Sequence, residues 1–565
     1  MNKKIFLLGA ALLSMTACDL DVFPTGSMTQ GQMSESKSAP EYATNANYAF
    51  FKDGDPYAKG TDAGNTYIRH YFQMAEFPAD NTTLSGRTED VLYQITCLKN
   101  NSSLSNIQAF WYFAYRIISG ANGVITTVKD GESAETDQLK GENYFIRAVC
   151  ELHLATLYCK PYVLGRENLG IVIRTGDNTA ETKRATVGET YDQIVEDLKN
   201  AIRLMNRSRG DKGYATKEAA QGLLSRVYLY MNMNKEVIDI VDEMLGGADP
   251  LSKLETGEGY KTYFANTRTS KETLWCVALQ ADESKGQEMM GSMYLKDGTG
   301  WGEVYCSDPL LNLYERYPSD LRYSNYILPQ YKHDGTKQVS FAIPSDDDCR
   351  LSAYAETKQN ADGKYTFSYD KKNYIVETEK INGMGQPDES GEYENMFITY
   401  NGEKINARVT DAIENRSGYT FLMYYMSKFG YQDGDPMLCS PAMIRWGEVI
   451  LNRAEAYAKL GQDQKALDDV NVIRTRAEIP SEGMFSMSNM HGYTDVLDIV
   501  LDERRLELAF EGHRMFDMYR NKRSINRKFA GVQPWEIVNY DDPRTILPIP
   551  YNEITVSHIT QNEGF

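Results

Sequence analysis

Three glutamates recur at four-residue intervals near the C-terminus. Glu503, Glu507 and Glu511 lie within E-R-R-L-E-L-A-F-E-G-H-R-M-F-D-M-Y-R, residues 503–520. That spacing puts them on one face of a single helix. Carboxylates paired in this way can act as acid and base, above all in glycoside hydrolysis. Arg504, Arg505, Arg514 and Arg520 are interleaved with them, however. An arginine beside a carboxylate lowers its pKa and opposes a general-acid role. The same pattern builds an ion-pair network that locks a helix to its neighbours, and that reading is favoured over the catalytic one. Gly512 inside a helix costs about 1 kcal/mol relative to Ala. Its presence predicts the close approach of another backbone.

Other chemistry is sparse. The six histidines (His70, His153, His333, His491, His513 and His558) form no H-E-x-x-H or H-x-H pattern, so none reads as a metal ligand. There is no G-x-S-x-G elbow and no phosphate-binding glycine loop. G-T-G-W-G at 298–302 lacks the strand and helix that would make it one. Two D-G-D-P turns, at 53–56 and 433–436, and an acidic run at 346–348 offer oxygen ligands. Structural calcium stays open there, but turn chemistry alone accounts for them. No cofactor is expected.

The elements that must position any site begin with an export signal. Lys3 and Lys4 precede an apolar run at 5–15, then Thr16, Ala17 and Cys18. This reads as a signal peptide over 1–17 that is too short to span a bilayer. Small residues followed by Cys resemble a bacterial lipobox, with Met15 where Leu is usual. Cys18 is then the lipidation site, and plain cleavage is the alternative. The chain has 565 residues and a formal net charge of −19. Removing 1–17 takes away two lysines and no acid. Such a chain will not track a nucleic-acid backbone, nor hold anionic lipid through a basic patch. Eight cysteines without paired spacing predict buried free thiols after Cys18.

Residues 18–45 are polar and rich in Ser, Thr and Gly, as in a tether. Apolar residues at helical spacing predict helices over 105–128, 137–159, 187–206, 216–232 and 235–246. A further helical hairpin is predicted at 443–477. Helices near 15 residues, small residues at their contacts and short turns point to tetratricopeptide-like hairpins. Between 247 and 440 the helical period fades, and short β-like runs appear at 274–279, 365–369 and 374–376. The fold expected is mostly α: a scaffold of helical hairpins with a loop-rich insertion carrying small β-sheets. The boundaries read as 1–17, 18–45, 46–246, 247–440 and 441–565.

The charged stretch at 503–520, I-L-P-I-P-Y-N-E-I at 546–554 and the terminal Q-N-E-G-F together resemble the SusD/RagB family. Its members are lipid-anchored glycan- or nutrient-binding subunits of outer-membrane import complexes, mostly without enzyme activity. The resemblance implies a cell-surface lipoprotein anchored in the outer-membrane lipid, with Asp19 and Asp21 after Cys18 resembling a surface-export signal. It also implies an oligosaccharide ligand and a SusC-like TonB-dependent barrel as partner. Sugar recognition needs aromatic faces edged by planar hydrogen-bonding groups. Two loops supply them: Asp80, Asn81, Arg87 and Tyr93 in one, Tyr294, Trp301 and Tyr305 in the other. The 39 tyrosines, against 20 phenylalanines, suit half-wet contacts, although helix packing accounts for most. The rivals are an importer scaffold that binds a peptide or no small ligand, and a carboxylate glycosidase.

Overall fold

The computed structural model describes residues 38–52, 66–84, 91–176, 181–295, 300–329, 335–345, 348–416, 419–422 and 424–565. The lipidation residue Cys18, the site candidate Arg87 and the D-G-D-P turn at 53–56 lie outside them.

Helix α1 (Ala39–Ala49) starts inside the stretch read as a tether, with Pro40 in its first turn, where a missing N–H does no harm. Next come α2 (Tyr67–Glu76), α3 (Ser105–Thr127), α4 (Ala134–Tyr158), α5 (Val187–Leu204), α6 (Lys217–Tyr230) and α7 (Asn234–Leu245). Their starts follow from local sequence. Ser133 with Thr136, and Thr186 with Glu189, form reciprocal capping boxes at the heads of α4 and α5. Thr216 caps α6, and Gly246 closes α7 in the left-handed conformation that favours glycine. Successive helices from α3 to α7 pack side by side, as the sequence period predicts.

After a long middle region, α9 (Trp446–Lys459) and α10 (Asp463–Arg476) form the hairpin expected there, with α9 packed on α7. Helix α11 (Val496–Glu507) lies against α9 and α10. The last residues return to the N-terminal helices. The Leu547 N–H donates to the Leu157 carbonyl at 2.7 Å, and the Asn562 amide to that of Tyr158 at 2.8 Å. The closing segment is therefore a clasp between the two ends of the chain.

The middle region holds α8 (Asp308–Tyr314) and small sheets. Strands β1 (Thr82–Leu84) and β2 (Val304–Cys306) pair antiparallel. A five-stranded antiparallel sheet contains β3 (Gln338–Pro344), β4 (Arg350–Glu356), β5 (Glu377–Ile381), β6 (Tyr393–Tyr400) and β7 (Glu403–Thr410), in the order β5-β6-β7-β3-β4. The sheet has its own small core of Val339, Phe341, Ile398 and Ile405, closed by Phe367 from a neighbouring three-stranded sheet. One larger apolar core runs through the helices and into the loops beside them. The seven cysteines from Cys97 to Cys439 are free and buried.

Candidate functional site

The glutamate series does not lie on one helix. α11 ends at Glu507, and α12 starts afresh at Arg514 and runs to Arg520. Between them Phe510 and Gly512 adopt φ of +71° and +75°. Glu511 therefore sits in the connecting turn, which corrects the single-helix reading. The freed N–H groups of Phe510 and Gly512 donate to the buried Glu76 carboxylate, at 3.2 and 2.9 Å. A Cβ on Gly512 would meet the Ala75 methyl at 3.1 Å. The glycine thus serves a left-handed turn pressed against α2, not a helix interior.

All three glutamates are buried and held by cations. Glu503 accepts from Arg322 at 2.6 Å and Arg474 at 2.8 Å. Glu507 is met by Arg476, Arg445 and Arg322. Glu511 accepts from Arg445 at 2.7 Å and Lys428 at 2.8 Å. The network extends through Glu272, which Arg445 and Arg476 share, and a second buried cluster is formed by Glu455, Asp517, Arg504 and Arg520. Burial alone would raise the Glu507 pKa, but Arg476, Arg445, Arg322 and Lys428 outweigh it and hold the carboxyl well below its usual range. A carboxylate that is charged, enclosed and fully paired makes a poor proton donor. This cluster joins α10, α11 and the middle region into one body.

The β1–β2 pair brings the two candidate loops together, with Thr82 opposite Cys306, Thr83 opposite Tyr305 and Leu84 opposite Val304. Most of the candidate residues face inward. Asp80 is 4% exposed and pairs with Arg514 at 2.9 Å and Arg505 at 3.3 Å. Asn81 is fully buried, donating to Glu76 at 2.9 Å and accepting from Arg505 at 2.9 Å. Both are occupied in neutralising and bracing the C-terminal arginines, a demand invisible in a local reading of the loop. Tyr294 is buried among Phe77, Phe429 and Phe510. Tyr305 is buried edge-on to Tyr425, with centroids 5.2 Å apart. All four are buried, and of them Asp80 lines the cleft described below. Tyr93 is half-buried on the short helix Val91–Thr96, with the Lys99 ammonium 5.5 Å from its ring.

Trp301 differs from the rest, with 48% of its surface exposed. Its loop is nevertheless pinned. The N–H groups of Trp301 and Gly302 both donate to the Ser292 carbonyl, at 2.7 and 3.1 Å, and that of Glu303 to Met293 at 2.9 Å. Gly302 has φ of +57°, and a Cβ there would strike the Tyr425 ring at 2.8 Å. The flanking glycine therefore lets the loop lie flat on Tyr425 while the indole stays in solvent. An exposed indole on a fixed backbone loses little entropy on stacking with a ligand.

A second concave region escaped the sequence reading. A cleft of about 970 Å³ lies between the five-stranded sheet and the C-terminal elements. Asn395, Asn406, Gln386, Tyr393, Arg316 and Trp535 are among its walls. The Arg350 guanidinium lies 4.2 Å from the Trp535 ring and bonds Glu403 at 2.9 Å. Its walls come from segments more than a hundred residues apart, so no local motif signals it.

A family model described as the SusD family matches residues 271–565. The chain belongs to the SusD family. A second model, described as starch-binding and associating with the outer membrane, matches residues 59–229. The chain is 22% identical to SusD-like protein P2 of Formosa agariphila, over 98% of this chain and 97% of that one. Among solved structures it is similar to a SusD superfamily protein from Bacteroides thetaiotaomicron, with a TM-score of 0.68, 22% identity and coverage of 93% and 98%. It is also similar to a laminarin-binding SusD-like protein, with a TM-score of 0.59, 17% identity and coverage of 94% and 100%. These likenesses extend the SusD fold across nearly the whole chain. Among the described residues, no helix is long and apolar enough to cross a membrane.

Proposed function

We propose that this SusD-family chain captures an oligosaccharide at the cell surface and delivers it to a SusC-like, TonB-dependent barrel. The observation that carries the reading is Trp301: a half-exposed indole on a loop clamped by three backbone hydrogen bonds. Such a ring offers an apolar face to the C–H face of a sugar. β2, which follows Trp301, pairs with β1, and Arg87 lies three residues beyond the end of β1 in sequence. We assign the sugar-edge hydrogen bonds to that loop. Family membership and the laminarin-binding neighbour favour a glycan over a peptide. Anchoring is assigned to a lipidated Cys18.

The protein is read as a binder without hydrolytic activity, because the carboxylates at Glu503, Glu507 and Glu511 are enclosed and charge-paired. The test is titration calorimetry of the mature chain against neutral oligosaccharides, β-1,3-glucans and starch fragments included. At least one should bind, Trp301→Ala should weaken that binding by roughly thirtyfold or more, and no new reducing ends should appear. Binding untouched by Trp301→Ala would move the site elsewhere. Engagement of the barrel without any glycan binding would favour the scaffold reading.

A further inference from the structure

The buried arginines among the described residues follow one rule, with a single departure among the fully enclosed ones. Arg322, Arg445, Arg476 and Arg504 are each less than 2% exposed, and each meets at least one carboxylate. Arg184, 6% exposed, has no carboxylate partner among the described residues, but carbonyl oxygens of Gly170, Thr560, Tyr158 and Leu169 and the Asn562 amide oxygen take up its donors. Arg527 has neither arrangement. It is 1% exposed, it enters no ion pair among the described residues, and its side chain has one acceptor, the Thr96 carbonyl, at Nη2. Nε and Nη1 have no partner.

The polar groups around it are orphaned in the same sense. Tyr519, on α12, is 2% exposed and its hydroxyl has no partner. Burial raises the Tyr519 phenol's pKa, and the Arg527 guanidinium is the strongest charge acting against that rise, as befits neighbouring side chains. Thr96, whose carbonyl holds Nη2, is 1% exposed with an unpartnered hydroxyl. The nearby Cys97 thiol is turned to the Val532 carbonyl at 3.4 Å. The backbone locks the arginine in place, since the Arg527 N–H donates to the Glu536 carbonyl at 3.0 Å. Guanidinium N–H groups and two hydroxyls that can donate are therefore sealed from water beside a positive charge with no carboxylate in ion-pair contact among the described residues; Glu536 and Asp80 act on it only from further off, each already paired with other arginines.

An enclosed charge is tolerated when it is paired, and removing its partner is strongly destabilising. Water would satisfy the hydrogen bonds but not the charge. A metal cation is excluded by the sign. We propose that Arg527, with the hydroxyls of Tyr519 and Thr96, forms a buried binding site for a small monovalent anion of the halide class. The ion accepts from Nε and Nη1 and ties the 527–536 segment to the helix Val91–Thr96 and to α12. These join the C-terminal elements to the helix that follows Arg87 in sequence. The site is independent of the glycan reading, since none of its members belongs to the Trp301 surface.

The test uses the mature full-length chain. Crystals grown in sodium bromide should show an anomalous peak within hydrogen-bond reach of Arg527 Nε or Nη1. Bromide peaks on the surface with none at Arg527 would overturn the site. In solution, the unfolding midpoint at constant ionic strength should rise, with saturation, as chloride replaces gluconate, a much larger organic anion. Arg527→Met should remove that dependence, and a variant that keeps it would overturn the proposal. Should Arg527→Met fail to fold, Tyr519→Phe should shift the chloride half-saturation upward at least threefold, and an unchanged value would count against the site.

Discussion

The charged turn between α11 and α12 and the Trp301 loop are built on opposite plans. The first holds glutamates and arginines in a dry interior, each satisfied by the other. The second keeps its backbone satisfied and leaves its one large side chain in solvent. Groups that are already paired have little left to offer a ligand, whereas an unpaired aromatic face does. The family signature therefore sits in the region that braces the fold, and the surface proposed for the ligand in a loop with little signature of its own.

The comparison breaks if either region behaves like the other. The largest effect is expected from Glu507→Gln, which leaves Arg476 and Arg445 short of their shared carboxylate. Loss of about 3–5 kcal/mol in chemical denaturation is expected, with glycan affinity of the folded fraction unchanged. A variant of normal stability that loses binding would turn the brace into a site. Glu507 also sets an acid limit. Its folded pKa is depressed, so its contribution is present above the unfolded value and lost as pH falls through the folded one.

Glu76 should behave with the opposite sign. Burial raises its pKa to about 7, even against hydrogen bonds from Asn81, Gly512 and Phe510 and the field of Lys428. A carboxyl raised in the folded state binds its proton more tightly there than in the unfolded chain. Its stabilisation is full below the unfolded value of 4.5 and is lost as pH rises toward 7. The decline amounts to about 3 kcal/mol across that window. Glu76→Gln should flatten it in urea titrations from pH 4.5 to 7.5, and an unaltered slope would show that Glu76 is ionised throughout.

Trp301→Ala should cost at least about 2 kcal/mol of glycan affinity, roughly thirtyfold in Kd. Its unfolding free energy should stay within about 0.5 kcal/mol of the parent. Gly512→Ala should produce the smallest change, a loss of about 1–2 kcal/mol from the left-handed φ and the 3.1 Å approach to Ala75. Stability unchanged in that variant would mean the turn relaxes at no cost.

Much of the scaffold was legible. The apolar period located α3 to α7 and the α9–α10 hairpin, because each helix hides one face and its caps are local. The break at 508–513 was not legible. E-R-R-L-E-L-A-F-E-G reads as continuous helix, and only the Glu76 carboxylate, more than four hundred residues upstream, makes it favourable for Phe510 and Gly512 to leave it. The burial of Asp80 and Asn81 was hidden for the same reason. A polar residue in a loop looks available until the distant arginine that claims it is seen.

Composition and periodicity alone determined that this chain is a mostly helical, acidic protein with an irregular middle, and its C-terminal motifs determined the family. Those properties depend on residues close together in sequence. Which side chains are paired and which remain free was decided only by the tertiary structure. Pairing depends on contacts between distant segments, such as β1 with β2 and Asp80 with Arg514. The same contacts left Trp301 in solvent and Arg527 enclosed without an ion-pair partner among the described residues.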